Sequence, residues 1–140
     1  MYFPATVWNR AKIAAKGFEP AYEIVLDWWL QLELLLDGEQ ALLDPEITFE
    51  YRRHPLQMST TTAFDVTRFH EERALSLRMR AIARARGWKR AARASTVQES
   101  SRLHALMIVA KLLRARRLGG SGALLAHAFT NRKPPGDWPS

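Results

Sequence analysis

The chain has 140 residues, of which 47% are hydrophobic and 25% are charged, and it contains no cysteine. A chain of this length and composition can bury a core, so we expect it to fold without a partner and exclude wholesale disorder. The absence of cysteine excludes disulfides, thiolate metal sites and a cysteine nucleophile, and it favours a cytoplasmic location.

The charge is unevenly distributed along the chain. Its formal net value is +7, but residues 17–51 hold nine acids and neither Lys nor Arg. Residues 73–117 hold thirteen Lys or Arg and a single acid, Glu99. Because nine acids cannot neutralise thirteen bases, we expect an uncompensated positive field over the second of these segments.

Two helices are predicted in the first third of the chain. The first covers 5–16, between a proline suited to a first helical turn and a glycine suited to a helix end. The second covers 20–37, with acids on one arc and Leu, Val and Trp on the other, including Trp28 and Trp29 in the expected core. Its most apolar run is 13 residues long and is interrupted by polar residues. A membrane span needs about 20 apolar residues, so we predict a buried helix and no membrane anchor.

The periodicity changes in residues 46–62. Hydrophobic residues alternate with polar ones at positions 47–51, and a second alternation follows at positions 56–60. An alternation of period two is typical of a half-buried strand. We therefore predict a small β-hairpin, which would have to pack on the helices because an isolated two-stranded ribbon is marginally stable in water.

Helical periodicity returns over 66–86, with apolar and basic residues on opposite faces. The apolar face carries Leu75, Met79 and Ile82. The opposite face, which we expect to point to solvent, carries Arg73, Arg80 and Arg84.

Further helices are predicted beyond Gly87. A short one covers 88–94, and Thr96 with Glu99 has the spacing of a capping box that opens a longer helix to about residue 118. The glycines of 119–122 predict a flexible hinge before a short apolar piece.

The expected fold is therefore mainly α, with about five helices in a compact bundle and the small hairpin. We predict one helical domain over 1–130 and a flexible polar tail over 131–140.

A basic stretch with one aromatic residue is the strongest candidate for function. Sixteen of the 21 cations of the chain are Arg, whose planar fork of donors matches phosphate and can stack on bases. This composition indicates nucleic-acid binding without catalysis, with DNA favoured over RNA. The candidate binding residues are Arg73, Arg80, Arg84, Arg86, Trp88, Lys89, Arg90 and Arg93.

An alternative interpretation remains open for the same residues. The basic face could pair with the acidic helix 19–37, within one molecule or between copies. The protein would then be a protein-interaction module or small adaptor subunit, with a second copy or a protein partner engaged through the acidic helix.

Part of the basic stretch resembles the helix-turn-helix family. Ile82, Ala83, Gly87 and Trp88 fit the opening half of that motif, in which the Ala packs at a close helix contact and the Gly permits the turn. The resemblance implies that the helix over 88–94 faces the major groove of DNA, with Lys89, Arg90 and Arg93 near phosphates or guanine edges.

The second half departs from the helix-turn-helix pattern. Arg93 and Thr96 occupy positions where the family usually places apolar residues that hold the second helix to the core. A shift by one residue would let Ala94 and Val97 replace them.

Catalytic and metal-binding patterns are missing from the sequence. None of the four His stands three or four residues from another, as a helical metal pair requires, and the serines lack the flanking glycines of a nucleophile elbow. His70, Glu71 and Glu72 could serve in acid–base chemistry, but near a helix start we expect them to be solvated. We expect no catalytic residue, metal, cofactor or small-molecule substrate, and we rank an enzyme behind both binding roles.

Overall fold

The computed structural model describes residues 6–46, 50, 66–116 and 119–139. These fall into two compact units, Met1–Gln57 and Met58–Ser140. The fold is mainly α, as predicted, and the described residues form six helices and no strand. The β-hairpin predicted near 46–62 is not supported, since all but two residues of that segment lie outside the described part of the chain. The single domain over 1–130 stays a prediction.

The first unit contains two helices that are shorter than predicted. Helix α1 covers Arg10–Ile13, and it begins where the side chain of Asn9 accepts a hydrogen bond from the backbone N–H of Ala11 at 3.1 Å. Helix α2 covers Leu26–Leu36. Trp29 is buried, as expected, whereas 41% of Trp28 is exposed.

The second unit contains four helices around one apolar core. They are α3 (Val66–Ala85), α4 (Lys89–Val97), α5 (Glu99–Arg114) and α6 (Ser121–Phe129). Helix α4 packs on α3, and α6 packs on α5 and α3. Phe69 of α3 is fully buried and lies in a cluster completed by residues of α5 and α6. The other members of that cluster are Ala105, Ile108, Val109, Leu124 and Ala128. The apolar periodicity predicted α3 to within one residue at its end.

Thr96 does not cap a helix. It lies inside α4, and its Oγ1 donates a hydrogen bond to the carbonyl oxygen of Ala92 at 2.8 Å. The break between α4 and α5 falls at Gln98, whose left-handed backbone (φ 49°, ψ 44°) ends one helix and precedes the next. The predicted capping box is therefore wrong, because a threonine hydroxyl can bond to the carbonyl four residues back as easily as to an N–H ahead of it.

The predicted hinge is a turn followed directly by a helix. Gly120 has a φ of 77°, which favours glycine, and it precedes α6 at Ser121. After α6, residues 130–139 contain no helix or strand, but the side chain of Asn131 accepts a hydrogen bond from Arg73 of α3. Across the described parts of the chain, the helices are too short or too polar to span a bilayer.

Candidate nucleic-acid interface

The turn between α3 and α4 is held by backbone hydrogen bonds. The N–H of Trp88 donates to the carbonyl of Ala83 at 2.8 Å, and that of Gly87 donates to the carbonyl of Arg84 at 3.1 Å. Gly87 has a φ of 72°, a conformation that side chains rarely adopt, although a Cβ there would meet no other atom. Ala83 is fully buried. Ala83 is thus buried beside a turn whose backbone at Gly87 favours glycine.

Six of the eight candidate binding residues are exposed on this turn and on the adjoining helices. We refer to them as the basic surface, and they are Arg84, Arg86, Trp88, Lys89, Arg90 and Arg93. Arg80 is half-buried, and its Nε is enclosed without a hydrogen-bond partner among the described residues. The concentration of exposed cations is the electrostatic feature expected of a phosphate-binding surface.

Arg73 is buried, which corrects the prediction that it faces solvent. Only 2% of its surface is exposed. Its Nη1 donates to Oδ1 of Asn131 at 2.8 Å, and its Nη2 donates to the carbonyl oxygen of His127. Burial, together with the nearby charge of Arg102, lowers the pKa of Arg73 to about 10. Helix α3 is enclosed on all sides over 71–75, so it has no solvent face there.

A shallow groove of about 410 Å³ lies within the basic surface, between the end of α3 and α4. Small side chains of Ala83 and Ala92 line it together with the polar groups of the two helices. The remaining lining residues are Arg84, Gly87, Trp88, Lys89, Arg93 and Thr96. The guanidinium carbon of Arg86 lies 5.0 Å from the ring centroid of Trp88, within the range of a cation–π contact. The groove therefore combines cations, small apolar groups and one aromatic ring.

Four cations of the basic surface form no ion pair with an acid in the described parts of the chain. No ion pair there joins Arg84, Lys89, Arg90 or Arg93 to a carboxylate. In the first unit, Lys16 contacts Glu33 at 3.7 Å and Asp37 at 2.6 Å. These acids of the segment 19–37 have an ion-pair partner within their own unit.

The second helix of the motif does not follow the helix-turn-helix pattern. Ala94 is exposed and Val97 is 37% exposed, so the idea that these two residues anchor α4 is wrong. The half-buried residues of α4 include Ala91, Ala92 and Thr96. The resemblance is thus limited to the end of α3 and the turn. Helix α4 packs on α3 through other residues than the two that the motif would use.

A polar cluster within the second unit could not be found from the sequence. Ser101 Oγ donates to Oε2 of Glu72, and Nε2 of His127 lies 2.8 Å from the same Oγ. Oε1 of Glu72 accepts from Nε of Arg68 at 2.8 Å. Glu71 and Glu72 are buried, which corrects the expectation that they are solvated. The three residues that meet come from α3, α5 and α6, so no local spacing indicates them.

The order of groups in this cluster differs from that of a nucleophilic triad. A triad directs the hydroxyl proton to the imidazole, and the carboxylate orients that imidazole. Here the hydroxyl proton of Ser101 is directed to the carboxylate of Glu72, and the imidazole of His127 is the third member. The arrangement satisfies the polar groups that these helices bury, which stabilises the packing of α3, α5 and α6.

The environment of His127 disfavours its charged form. Burial lowers its pKa to about 4, and the positive charges of Arg73, Arg102 and His70 contribute in the same direction. The ring packs edge-on against Phe69 at a centroid distance of 5.0 Å. His127 is therefore a neutral part of the interior at physiological pH.

Metal-binding groups are not clustered in the described residues, where no three His, Asp or Glu side chains converge on a point. The basic surface presents five cations and one aromatic ring to solvent. Comparison with known protein families, with characterised proteins and with solved structures found no match to this chain.

Proposed function

We propose that this protein binds nucleic acid without catalysis, as a regulatory or accessory protein, through the basic surface. The observation that carries the proposal is a set of exposed cations beside the exposed ring of Trp88. Among the described residues, no ion pair joins a carboxylate to four of these cations, Arg84, Lys89, Arg90 and Arg93. Phosphates of a nucleic-acid backbone are the polyanion that such a surface fits, and their neutralisation releases counterions. DNA is the first nucleic acid to test.

The dependence of affinity on salt tests this proposal. Neutralising one phosphate of a duplex changes the slope of log affinity against log salt by about −0.9, so five cations predict a slope near −4.5. The measurement is the fluorescence anisotropy of a labelled duplex of unrelated sequence, titrated at several salt concentrations.

A matched pair of double variants locates the site. Arg90→Gln with Arg93→Gln removes two exposed cations from α4, whereas Arg132→Gln with Lys133→Gln removes two exposed cations from the segment after α6. The first pair should make the slope shallower by about 1.8, and the second pair should leave it unchanged. An absence of binding to any nucleic acid at low salt, or equal effects of the two pairs, would contradict the proposal.

A protein-interaction module is the second candidate, and a feature of α5 favours it. Leu103, Met107 and Leu113 are each at least half exposed and fall within an arc of about 120° on the helix. Exposed apolar patches often mark sites of protein association.

Sedimentation velocity distinguishes the two candidates. Association through α5 should persist at high salt and disappear in the variant Leu103→Gln with Met107→Gln. Association through the acidic helix 19–37 should dissolve with salt and be lost when Glu23 and Asp27 are replaced by Lys. Neither variant should lower DNA affinity if the basic surface acts alone.

A further inference from the structure

The exposed ring of Trp88 lines the groove, and the backbone of this residue is held in the turn between α3 and α4. Its N–H donates to the carbonyl of Ala83, and the preceding Gly87 sets the direction of the chain. Of its surface, 44% is exposed. Arg86 lies against the ring, which places a positive charge beside it. A residue whose backbone is already ordered has less conformational freedom to lose when it binds a ligand.

The surroundings of Trp88 have the features of a binding site for an unpaired nucleotide. Proteins that bind single strands combine a positively charged groove with aromatic side chains on which bases stack. Arg84, Lys89 and Arg93 line the same groove as Trp88. The volume of about 410 Å³ lies within the range of small-molecule clefts, which is roughly 300–1,000 Å³.

A paired base cannot use these features. In a duplex, the faces of each base are covered by its neighbours, so the ring of Trp88 could contact only sugars, phosphates or base edges. The two apolar residues that would anchor α4 as a recognition helix, Ala94 and Val97, are also exposed. Both observations favour a single strand over a duplex.

We propose that the basic surface prefers single-stranded nucleic acid and that Trp88 stacks on an unpaired base above the groove, an inference that rests on the proposed function. The cations of the groove hold the flanking phosphates. Stacking on one face of a base is tolerant of sequence, so the preference is for strand state and not for a base order.

The test compares three labelled ligands by fluorescence anisotropy at low salt. They are an oligothymidylate of about ten nucleotides, an oligouridylate of the same length and a DNA duplex with the same number of phosphates. Both single strands should bind at least several-fold more tightly than the duplex. The ratio of the two single-strand affinities identifies which sugar the surface prefers.

Substitutions of Trp88 separate stacking from charge. Trp88→Leu keeps an apolar side chain and the backbone bond to Ala83 but removes the flat ring, and it should weaken oligothymidylate binding by roughly 5- to 100-fold. Trp88→Phe should retain most of the affinity. Trp28→Leu is the matched control, because Trp28 is exposed to a similar extent (41%) in the first unit, and it should leave affinity unchanged.

A second readout covers the case in which Trp88→Leu does not fold. Saturating oligothymidylate should quench the tryptophan fluorescence of the wild-type protein more than that of the Trp88→Phe variant. Equal quenching, or equal affinity for single strand and duplex with no effect of Trp88→Leu, would overturn the inference and leave the proposed function in place. Failure of all three ligands to bind would contradict both the single-strand preference and the proposed function.

Discussion

The guanidinium Nη1 of Arg73 lies 2.8 Å from Oδ1 of Asn131, a residue 58 positions further along the chain. Nη2 of Arg102 lies 2.5 Å from the same oxygen. Two positive charges thus converge on one neutral amide. The contact ties the segment after α6 to α3 and α5, and it explains why Arg73 is unavailable to an external ligand.

Replacing the amide of Asn131 by a carboxylate should stabilise the protein. In Asn131→Asp the shape of the side chain is kept and a negative charge meets the two guanidinium groups, so the free energy of unfolding should rise by roughly 1 kcal/mol at pH 7. Asn131→Ala, which removes the acceptor, should lower it by about 1–2 kcal/mol. Urea unfolding of the three proteins measures both changes.

The gain in Asn131→Asp has a defined pH dependence. Two guanidinium groups lower the pKa of the introduced carboxyl below its unfolded value of about 3.9. The added stability should therefore be present above about pH 4 and lost as the pH falls through the lower folded-state pKa. An Asn131→Asp protein no more stable at pH 7 than Asn131→Ala would show that the two charges do not act on this position.

His127 should make the protein less stable in weak acid. Its pKa in the folded protein is about 4 and its ordinary value is 6.5, so the unfolded chain binds a proton that the folded chain does not. The contribution of His127 to the free energy of unfolding should fall by about 2 kcal/mol between pH 7 and pH 5.

Comparison with a His127→Gln variant isolates this effect, because glutamine keeps a polar group near Ser101 but does not titrate. The variant should lose less stability than the wild type over the same pH range in urea unfolding. The NMR titration of the His127 ring should have its midpoint near pH 4. A midpoint near 6.5, or parallel pH profiles for the two proteins, would rule out the neutral interior imidazole.

Replacing arginine by glycine at two positions near the end of α5 should change the free energy of unfolding in opposite directions. Arg116 is exposed and has a φ of 54°, a left-handed conformation that costs a non-glycine residue about 1 kcal/mol. Arg116→Gly should raise the free energy of unfolding by roughly 0.5–1 kcal/mol. Arg114 is the last residue of α5, and Arg114→Gly should lower it by up to about 1 kcal/mol.

The pair provides its own control. Each variant removes one positive charge near the helix end and adds the same flexibility to the unfolded chain, so these contributions cancel in the comparison. Thermal unfolding should place the midpoint of Arg116→Gly above that of Arg114→Gly. The reverse order would contradict the left-handed backbone at Arg116.

Local sequence patterns predicted much of the second unit and part of the surface. The apolar period of α3 identified a helix that the structure has at Val66–Ala85, and Gly87 identified the turn. Helical periods and glycine conformations arise from interactions between residues a few positions apart, so they can be predicted without the fold. The exposed cations of α4 followed from the same kind of pattern.

The same patterns failed where contacts join distant segments. Arg73 was placed on a solvent face by its helical angle, but Asn131 and the carbonyl of His127 cover it. Glu72 was expected to be solvated, but it is buried and accepts a hydrogen bond from Ser101 of α5. Short-range geometry gives the direction of a side chain relative to its helix, and it contains no information on what packs against that direction.

By itself, the sequence determined that the chain is mainly helical, that acids and bases lie in separate segments, and that the stretch around Gly87 has too many cations for the acids nearby. Only the tertiary structure decided which of those cations reach solvent and that Ser101, His127 and Glu72 meet in the interior. The physical reason is that charge and helical period are properties of neighbouring residues, whereas burial depends on residues brought together from distant parts of the chain.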